Sequence, residues 1–211
     1  LGVDKWLQDP VRPTHTTGTY TASTPLVNGA DQTGSTISTD GWASGAATLN
    51  KGDIFTIAGV NSVNPLSYSS TGRLQQFVVT ATTSDSSGAM ATLPISPSII
   101  TSDQLQTVDA SPANNAVITV LGTTDAAGGT LATTTSPQSF VYLPDAFAFV
   151  MADLMKPGAG AESTTVRSKS LGFSIRMVEQ YQIGTDQNPS RLDILIGAAT
   201  IQARLAARVW G

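Results

Sequence analysis

The sequence lacks cysteine altogether and contains a single histidine among its 211 residues. The lack of cysteine excludes disulfide bonds and thiolate metal ligands, so stability has to come from packing or from assembly. One histidine without cysteine also argues against a zinc site, and we expect neither a metal nor a cofactor. No apolar run approaches the roughly 20 residues that cross a bilayer, and no signal-peptide pattern opens the sequence. We therefore expect no membrane partner.

Charge is also scarce. Charged residues make up 12% of the chain, whereas a quarter is usual, and serine and threonine together account for about a quarter. The hydrophobic share of 40% exceeds what a disordered chain would carry. Threonine and valine suit pleated strands, and glycine and proline separate them. The composition therefore predicts a β-rich protein.

The net charge of −4 is distributed unevenly along the chain. Residues 13–155 carry nine aspartates against Lys51 and Arg73, a net charge of −7. Residues 156–211 carry seven basic and four acidic side chains, a net charge of +3. This basic footprint is too weak for a duplex-binding domain. An acidic body and a basic tail would instead attract each other between neighbouring subunits.

Three segments are predicted. Residues 1–47 have few large apolar side chains and read as an extended segment. Residues 48–122 contain four strand-like runs separated by turn residues, which predicts a small β-barrel-like domain. The third segment, residues 123–211, ends in three apolar strand-like runs after residue 171. The four runs of the middle segment cover residues 53–60, 73–81, 89–95 and 116–121.

One helix is predicted, at about residues 145–155. Pro144 suits a first helical turn, and Asp145 suits the positive end of the helix dipole. Apolar side chains then share one face at helical spacing; they are Phe147, Val150, Met151, Leu154 and Met155. The predicted fold class is therefore α+β, with β-structure dominant.

No catalytic constellation is visible. A Ser-His-Asp arrangement would have to use His15, which lies in a threonine-rich stretch and reads as an exposed loop histidine. The glycine-rich stretches lack the spacing of a phosphate-binding loop. Asp186 reads as a residue that caps a turn, and Asp193 as a strand residue paired with a cation. We expect a protein that is not an enzyme.

Four arginines near the end of the chain lie in or beside apolar strands rather than in a basic block. They are Arg176, Arg191, Arg204 and Arg208. Scattered solvated arginines would contribute little to stability. Arginine also pairs bidentately with carboxylates and is enriched at interfaces. Because the preceding body has an excess of aspartate, we favour these four as candidate intersubunit contacts.

Several motifs occur in the order found in one family. Ser174-Ile-Arg-Met-Val-Glu-Gln-Tyr-Gln-Ile183, Thr185-Asp-Gln-x-Pro-x-Arg-Leu-Asp-Ile-Leu195 and Gly197-x-Ala-Thr-Ile201 resemble the closing segment of tailed-bacteriophage major coat proteins. Tyr142-Leu-Pro-Asp-Ala-Phe-Ala-Phe149 and Lys51-Gly-Asp-Ile-Phe-Thr-Ile-Ala-Gly-Val60 are similar to earlier parts of the branch that carries a β-barrel insertion domain.

This resemblance implies the C-terminal portion of a capsid subunit. Many copies would form an icosahedral head shell around double-stranded DNA, assembled in the host cytoplasm with a scaffolding protein, and would contact the packaged DNA non-specifically. Residues 48–122 would be the insertion, and the remainder would supply the axial domain and part of the peripheral domain. Residues 202–204 read Gln-Ala-Arg, where the family has Arg-Pro-Glu.

One alternative comes from a different functional class. Short strands rich in threonine, serine and glycine also form the β-sandwich binding modules of phage fibres and extracellular adhesins. Such a module would present an exposed aromatic platform to sugars, but aromatic residues make up only 6% of this chain. We therefore favour the assembly subunit.

Overall fold

The computed structural model describes residues 4–8, 10–21, 23–122, 130–158, 160–168 and 172–210. They belong to two compact units. The first, here called the barrel unit, comprises Asp9–Gln138 with Trp210–Gly211. The second, the open-sheet unit, comprises Leu1–Gln8 with Ser139–Val209. The prediction of a β-rich protein is confirmed, because sixteen strands account for nearly all the regular structure of the described residues.

In chain order the strands are β1 (Thr14–Thr16), β2 (Leu26–Val27), β3 (Gly34–Asp40), β4 (Thr48–Leu49), β5 (Ile54–Val63), β6 (Ser70–Val79), β7 (Thr83–Ser84), β8 (Met90–Ile99), β9 (Ile118–Val120), β10 (Thr135–Tyr142), β11 (Phe147–Met151), β12 (Glu162–Arg167), β13 (Ser174–Glu179), β14 (Ser190–Asp193), β15 (Ile196–Thr200) and β16 (Ala206–Trp210). Two short 3-10 helices cover Pro144–Ala146 and Ala203–Leu205.

The barrel unit is built on a six-stranded sheet of order β2-β3-β8-β6-β5-β9. Its first and last strands meet, because the Val27 amide donates to the Ala116 carbonyl at 3.0 Å and the Ile118 amide to the Pro25 carbonyl at 2.9 Å. The sheet therefore curls into a nearly closed barrel. Large side chains fill its interior; the largest fully buried ones are Phe55, Phe77, Ile37, Leu49, Ile57, Met90, Leu93, Ile99, Leu131, Val27, Val60 and Val79.

Strand β5 shows how the sequence produces this curvature. Phe55 and Ile57 are two residues apart and both fully buried, as alternation requires. The next buried residue, Val60, follows after three. The register with β6 shifts between Thr56 and Asn61, and Gly59 within that interval has a φ of +80°. This irregularity is typical of a β-bulge, which bends a strand.

The chain enters and leaves the barrel unit side by side. Strand β1 pairs antiparallel with the start of β10, and His15 lies opposite Ser136. The Thr17 amide donates to the Thr134 carbonyl at 3.0 Å, while the Thr134 amide donates to the Thr17 hydroxyl at 2.9 Å.

Residues 1–47 differ from the prediction of an extended segment, because most of their second half belongs to the barrel. Strand β3 pairs with both β2 and β8. Some of the large apolar residues of the segment join the core, since Tyr20 and Trp42 are buried with ring centroids 5.3 Å apart. The Trp42 indole donates to the Thr39 hydroxyl at 2.9 Å. A polar sequence with a few well-placed anchors is therefore sufficient here.

The open-sheet unit consists of small separate sheets. Strands β12, β13 and β14 form an antiparallel sheet in that order, and β11 pairs antiparallel with β15. Strand β16 borders β10. Among the described residues of Ser139–Val209, Ala146 is the only apolar residue that is buried.

The predicted helix at 145–155 is wrong, and with it the α+β part of the predicted class. Pro144–Ala146 form a single 3-10 turn, after which β11 pairs with β15 from Phe147 opposite Thr200 to Met151 opposite Ile196. Aromatic and β-branched residues favour strands, and Phe-Ala-Phe-Val alternates with a period of two. A helical face would also need burial, yet Val150 is 63% exposed.

The described helical segments are all too short to cross a membrane. The roles assigned to the three segments from the sequence, an insertion and parts of a capsid domain, stay a prediction.

Candidate interaction surface

His15 is half-buried on β1 rather than exposed in a loop, contrary to the sequence-based reading. Its Nε2 donates to Asp53 Oδ1 at 2.9 Å, and the two side chains are 10% and 2% exposed. The other carboxylate oxygen of Asp53 accepts from the Gly18 amide at 3.0 Å and the Asn50 amide at 2.7 Å. Burial and the nearby Asp53 charge raise the pKa of Tyr20 to about 12.

This arrangement is structural. The Asp53 carboxylate connects β1, the turn before β5 and the residues around Gly18, where an added Cβ would lie 2.0 Å from the Thr48 carbonyl oxygen. A buried carboxylate with this many donors fixes the local backbone. Among the described residues, no group of three or more metal-binding side chains lies close enough to hold an ion.

Two of the four predicted arginines, Arg176 and Arg191, contact a carboxylate within the chain. Arg176 Nε and Nη2 donate to Asp193 Oδ2 at 3.2 and 2.5 Å, and a third Arg176 nitrogen donates to the Met155 carbonyl. Arg191 reaches the same carboxylate, with its Nε 2.8 Å from Oδ1. The prediction that Asp193 pairs with a cation is confirmed. Its pKa is held below the ordinary value by hydrogen bonds from Arg176 and then Arg191.

The four predicted arginines differ in their exposure and in their partners. Arg176 and Arg191 meet at Asp193; the Arg176 side chain is 14% exposed, and that of Arg191 is 71% exposed. Arg204 is exposed on the 3-10 helix Ala203–Leu205. Arg208 is half-buried on β16. The structure therefore brings two of the four together, and Arg191 and Arg204 are the two that face solvent. Their intersubunit role stays a prediction.

The open-sheet unit exposes an unusual amount of apolar surface. Its exposed large apolar side chains are Trp6, Leu7, Phe140, Val141, Tyr142, Leu143, Phe147, Phe149, Val150, Met155, Val166, Phe173, Ile175, Met177, Tyr181, Ile183, Leu192, Ile194, Leu195, Ile196, Ile201 and Val209. Isolated exposed apolar residues are ordinary in proteins, but contiguous ones indicate contact with another surface.

The sheet β12-β13-β14 has two unlike faces, which follow from its register. Directly opposed residues share a face. Arg176 and Asp193 are opposed and lie on one face with Arg191. The other face, here called the open face, carries Glu162, Thr164, Val166, Ile175, Met177, Glu179, Ser190 and Leu192.

The open face was missed in the sequence. Its four large apolar side chains are Val166, Ile175, Met177 and Leu192, between 39% and 69% exposed. A shallow depression of about 220 Å³ at one end is lined by Glu162, Thr164, Met177 and Glu179. The alternation of β12 hints at a strand, but its pairing with β13, which opposes Glu162 to Glu179, is visible only in three dimensions.

Comparisons with known proteins agree with the sequence-based resemblance. No curated protein matches the chain. A solved structure, described as the CUS-3 coat protein I-domain, is 31% identical, covers 48% of this chain and 96% of its own, and superposes with a TM-score of 0.34. The family model described as P22 coat protein, gene protein 5, matches residues 2–207. The match spans nearly the whole sequence, so the resemblance to phage coat proteins is confirmed: the chain belongs to the P22 coat protein family.

Proposed function

We propose that this protein is a structural subunit of a tailed-phage icosahedral capsid, which self-assembles into the head shell around double-stranded DNA. The family match over residues 2–207 carries the proposal, because coat proteins have a structural role in capsids. This family is structural rather than enzymatic.

The contrast between the two units supports self-assembly. The barrel unit buries its own core, whereas the open-sheet unit leaves large apolar side chains in contact with water. Each such residue would contribute free energy if a neighbouring subunit covered it. A shell repeats modest contacts by symmetry, so many weak interfaces are sufficient for a stable assembly.

The finer assignments belong to the same proposal. The barrel is the inserted domain, and the open-sheet unit supplies the axial domain and part of the peripheral domain of a capsid-type fold. The solvent-facing arginines Arg191 and Arg204 contact neighbouring subunits, as electrostatic complementarity between an acidic body and a basic tail would favour. Arg176 also has contacts within the subunit, where its guanidinium donates to Asp193 and to the Met155 carbonyl.

The partners follow from the family. A scaffolding protein guides closure in the host cytoplasm, and the packaged DNA touches the inner surface without sequence preference. The net charge of −4 suits weak contact with a polyanion rather than tight binding. The mature protein would then be found in the virion.

Electron microscopy of the full-length protein tests the proposal. Expressed with and without a scaffolding protein, it should form closed shells or capsomer rings, and sedimentation should show large assemblies. A protein that stays monomeric at high concentration with scaffold present would contradict the proposal. Binding to a glycan array by that monomer would instead favour a fibre-type binding module.

A further inference from the structure

The open face of the sheet β12-β13-β14 is an apolar surface that nothing in the described chain covers. Val166 lies opposite Ile175, and Met177 lies opposite Leu192, so four large side chains form one continuous patch. Val166 is 66% exposed and Leu192 is 69% exposed. The reverse face is more covered, with Ser174 buried and Arg176 half-buried. A patch of this kind indicates a docking surface.

The patch ends in a pair of like charges. Glu162 and Glu179 are directly opposed across β12 and β13. Directly opposed like charges destabilise a sheet. Neither carboxylate forms an ion pair with any residue that the structure describes. A cation brought by the docked surface would relieve this repulsion.

An arginine suits this position better than a lysine. The depression beside the two glutamates is also lined by Thr164 and Met177. A planar guanidinium can donate to two carboxylates at once, while its aliphatic stem packs against a thioether or other apolar surface. The occupant should therefore present an arginine next to an exposed apolar side chain.

The chain itself presents such a surface. Arg204 is exposed on the 3-10 helix Ala203–Leu205, and its guanidinium forms no hydrogen bond or ion pair with any described residue. Ile201, three residues earlier, is 62% exposed. The acidic and apolar open face and the basic and apolar Arg204 surface are thus complementary in both charge and hydrophobicity.

We propose that the open face of one subunit binds the Arg204 surface of a second copy, with Arg204 between Glu162 and Glu179 and Ile201 against Met177. This inference rests on the proposed function, since it specifies one contact of the shell. The two surfaces differ, so the contact is heterologous. A heterologous contact generates rings when its rotation closes, which is what capsomers require.

Charge exchange tests this contact in the full-length protein. One variant carries Glu162→Lys with Glu179→Lys, a second carries Arg204→Glu, and a third combines all three changes. We expect the first two each to weaken subunit association more than about tenfold, since like charges then face each other, and the third to recover most of it. Sedimentation velocity measures association, and microscopy reports shells.

Matched controls separate this contact from general charge effects and from misfolding. Asp145→Lys reverses an exposed acid, and Lys156→Glu an exposed base, both outside the proposed contact. We expect association like that of the wild type from both. Far-ultraviolet circular dichroism establishes that each variant keeps its strands, and rescue in the combined variant is itself incompatible with misfolding.

Each result has a definite meaning. Shells at wild-type efficiency from both charge-reversal variants would overturn the contact but leave the capsid function intact. Loss of association in both without recovery in the combined variant would also overturn it, because the glutamates and Arg204 would then have different partners. A wild-type protein that never assembles would contradict the proposed function itself.

Discussion

The barrel unit and the open-sheet unit differ in where their apolar residues lie. In the barrel unit, residues from Tyr20 to Leu131 supply a cluster of nineteen buried apolar residues. In the open-sheet unit, comparable side chains lie on the surface of small sheets. Folding stability depends largely on apolar burial. We therefore expect the barrel unit to be stable by itself, and the open-sheet unit to need contacts with other protein surfaces.

Separating the two units should produce the largest effect. A fragment of residues 9–138 should unfold cooperatively with temperature, because it retains the whole apolar cluster. A fragment of residues 139–211 should show no cooperative transition and should bind an apolar dye, because its strands lack a core. Calorimetry and dye fluorescence measure both properties. A sharp thermal transition in the second fragment would contradict the conclusion that the open-sheet unit lacks a core of its own.

A matched pair of phenylalanine truncations should give the next largest difference. Phe55 is fully buried and its ring centroid lies 5.8 Å from that of Phe77. Phe55→Ala should lower the free energy of unfolding by about 3–5 kcal/mol. Phe149 is 54% exposed, and Phe149→Ala should change the free energy of unfolding by less than about 1 kcal/mol. Urea denaturation monitored on the barrel gives both values, and equal losses would contradict the assignment of the core.

Removal of the buried carboxylate of Asp53 should have an intermediate effect. Asp53→Ala leaves the Gly18 and Asn50 amides and the His15 ring without their acceptor. We expect a loss of about 2–3 kcal/mol, since buried donors without partners are costly. Asp40→Ala is the control, because the Asp40 carboxylate accepts no hydrogen bond from the described residues. A similar loss in both variants would show that Asp53 has no special role.

The smallest effect should come from acid. Burial raises the pKa of Asp85 and Asp109, but hydrogen bonds outweigh it and both pKa values fall below the ordinary value. For Asp85 the donors are the Gly45, Gly88 and Ala47 amides. Depressed pKa values contribute stability that is present above the unfolded pKa of about 3.9 and is lost as the pH falls through the folded value.

Denaturation midpoints between pH 6 and pH 2 should therefore decrease for the barrel unit. The double variant Asp85→Asn with Asp109→Asn should have a lower midpoint at pH 6 and a shallower decrease. Parallel curves for the wild type and the double variant would assign the acid sensitivity to other groups.

The structural features that could be predicted from the sequence are those that depend on residues close together in the chain. The strands predicted at 53–60, 73–81 and 89–95 correspond to β5, β6 and β8, because alternation and turn residues are local signals. The predicted helix failed because its apolar spacing fits a helix and a strand equally well. Only the partner strand β15 decides between them, and that strand lies some fifty residues further on.

In the candidate site, too, local features could be predicted from the sequence and contacts between distant residues could not. The pairing of Asp193 with a cation could be predicted from its place in an apolar strand near arginines. The half-buried position of His15 could not, because it depends on contact with Asp53, which is 38 residues away. The opposition of Glu162 and Glu179 likewise depends on register. Composition identified the excess of charge in each region but not which charges meet.

The mutual hydrogen bonds of Thr17 and Thr134 join residues 117 positions apart. Because Thr17 and Thr134 are adjacent in space, the residues between them form a domain whose two ends lie side by side. A domain of this kind can be inserted into another polypeptide through two neighbouring connections, here called the neck. Such a module can be gained, lost or exchanged during evolution without stretching the protein that carries it. It can also complete its own folding only once a very long loop has closed, so formation of this neck should be among its late steps.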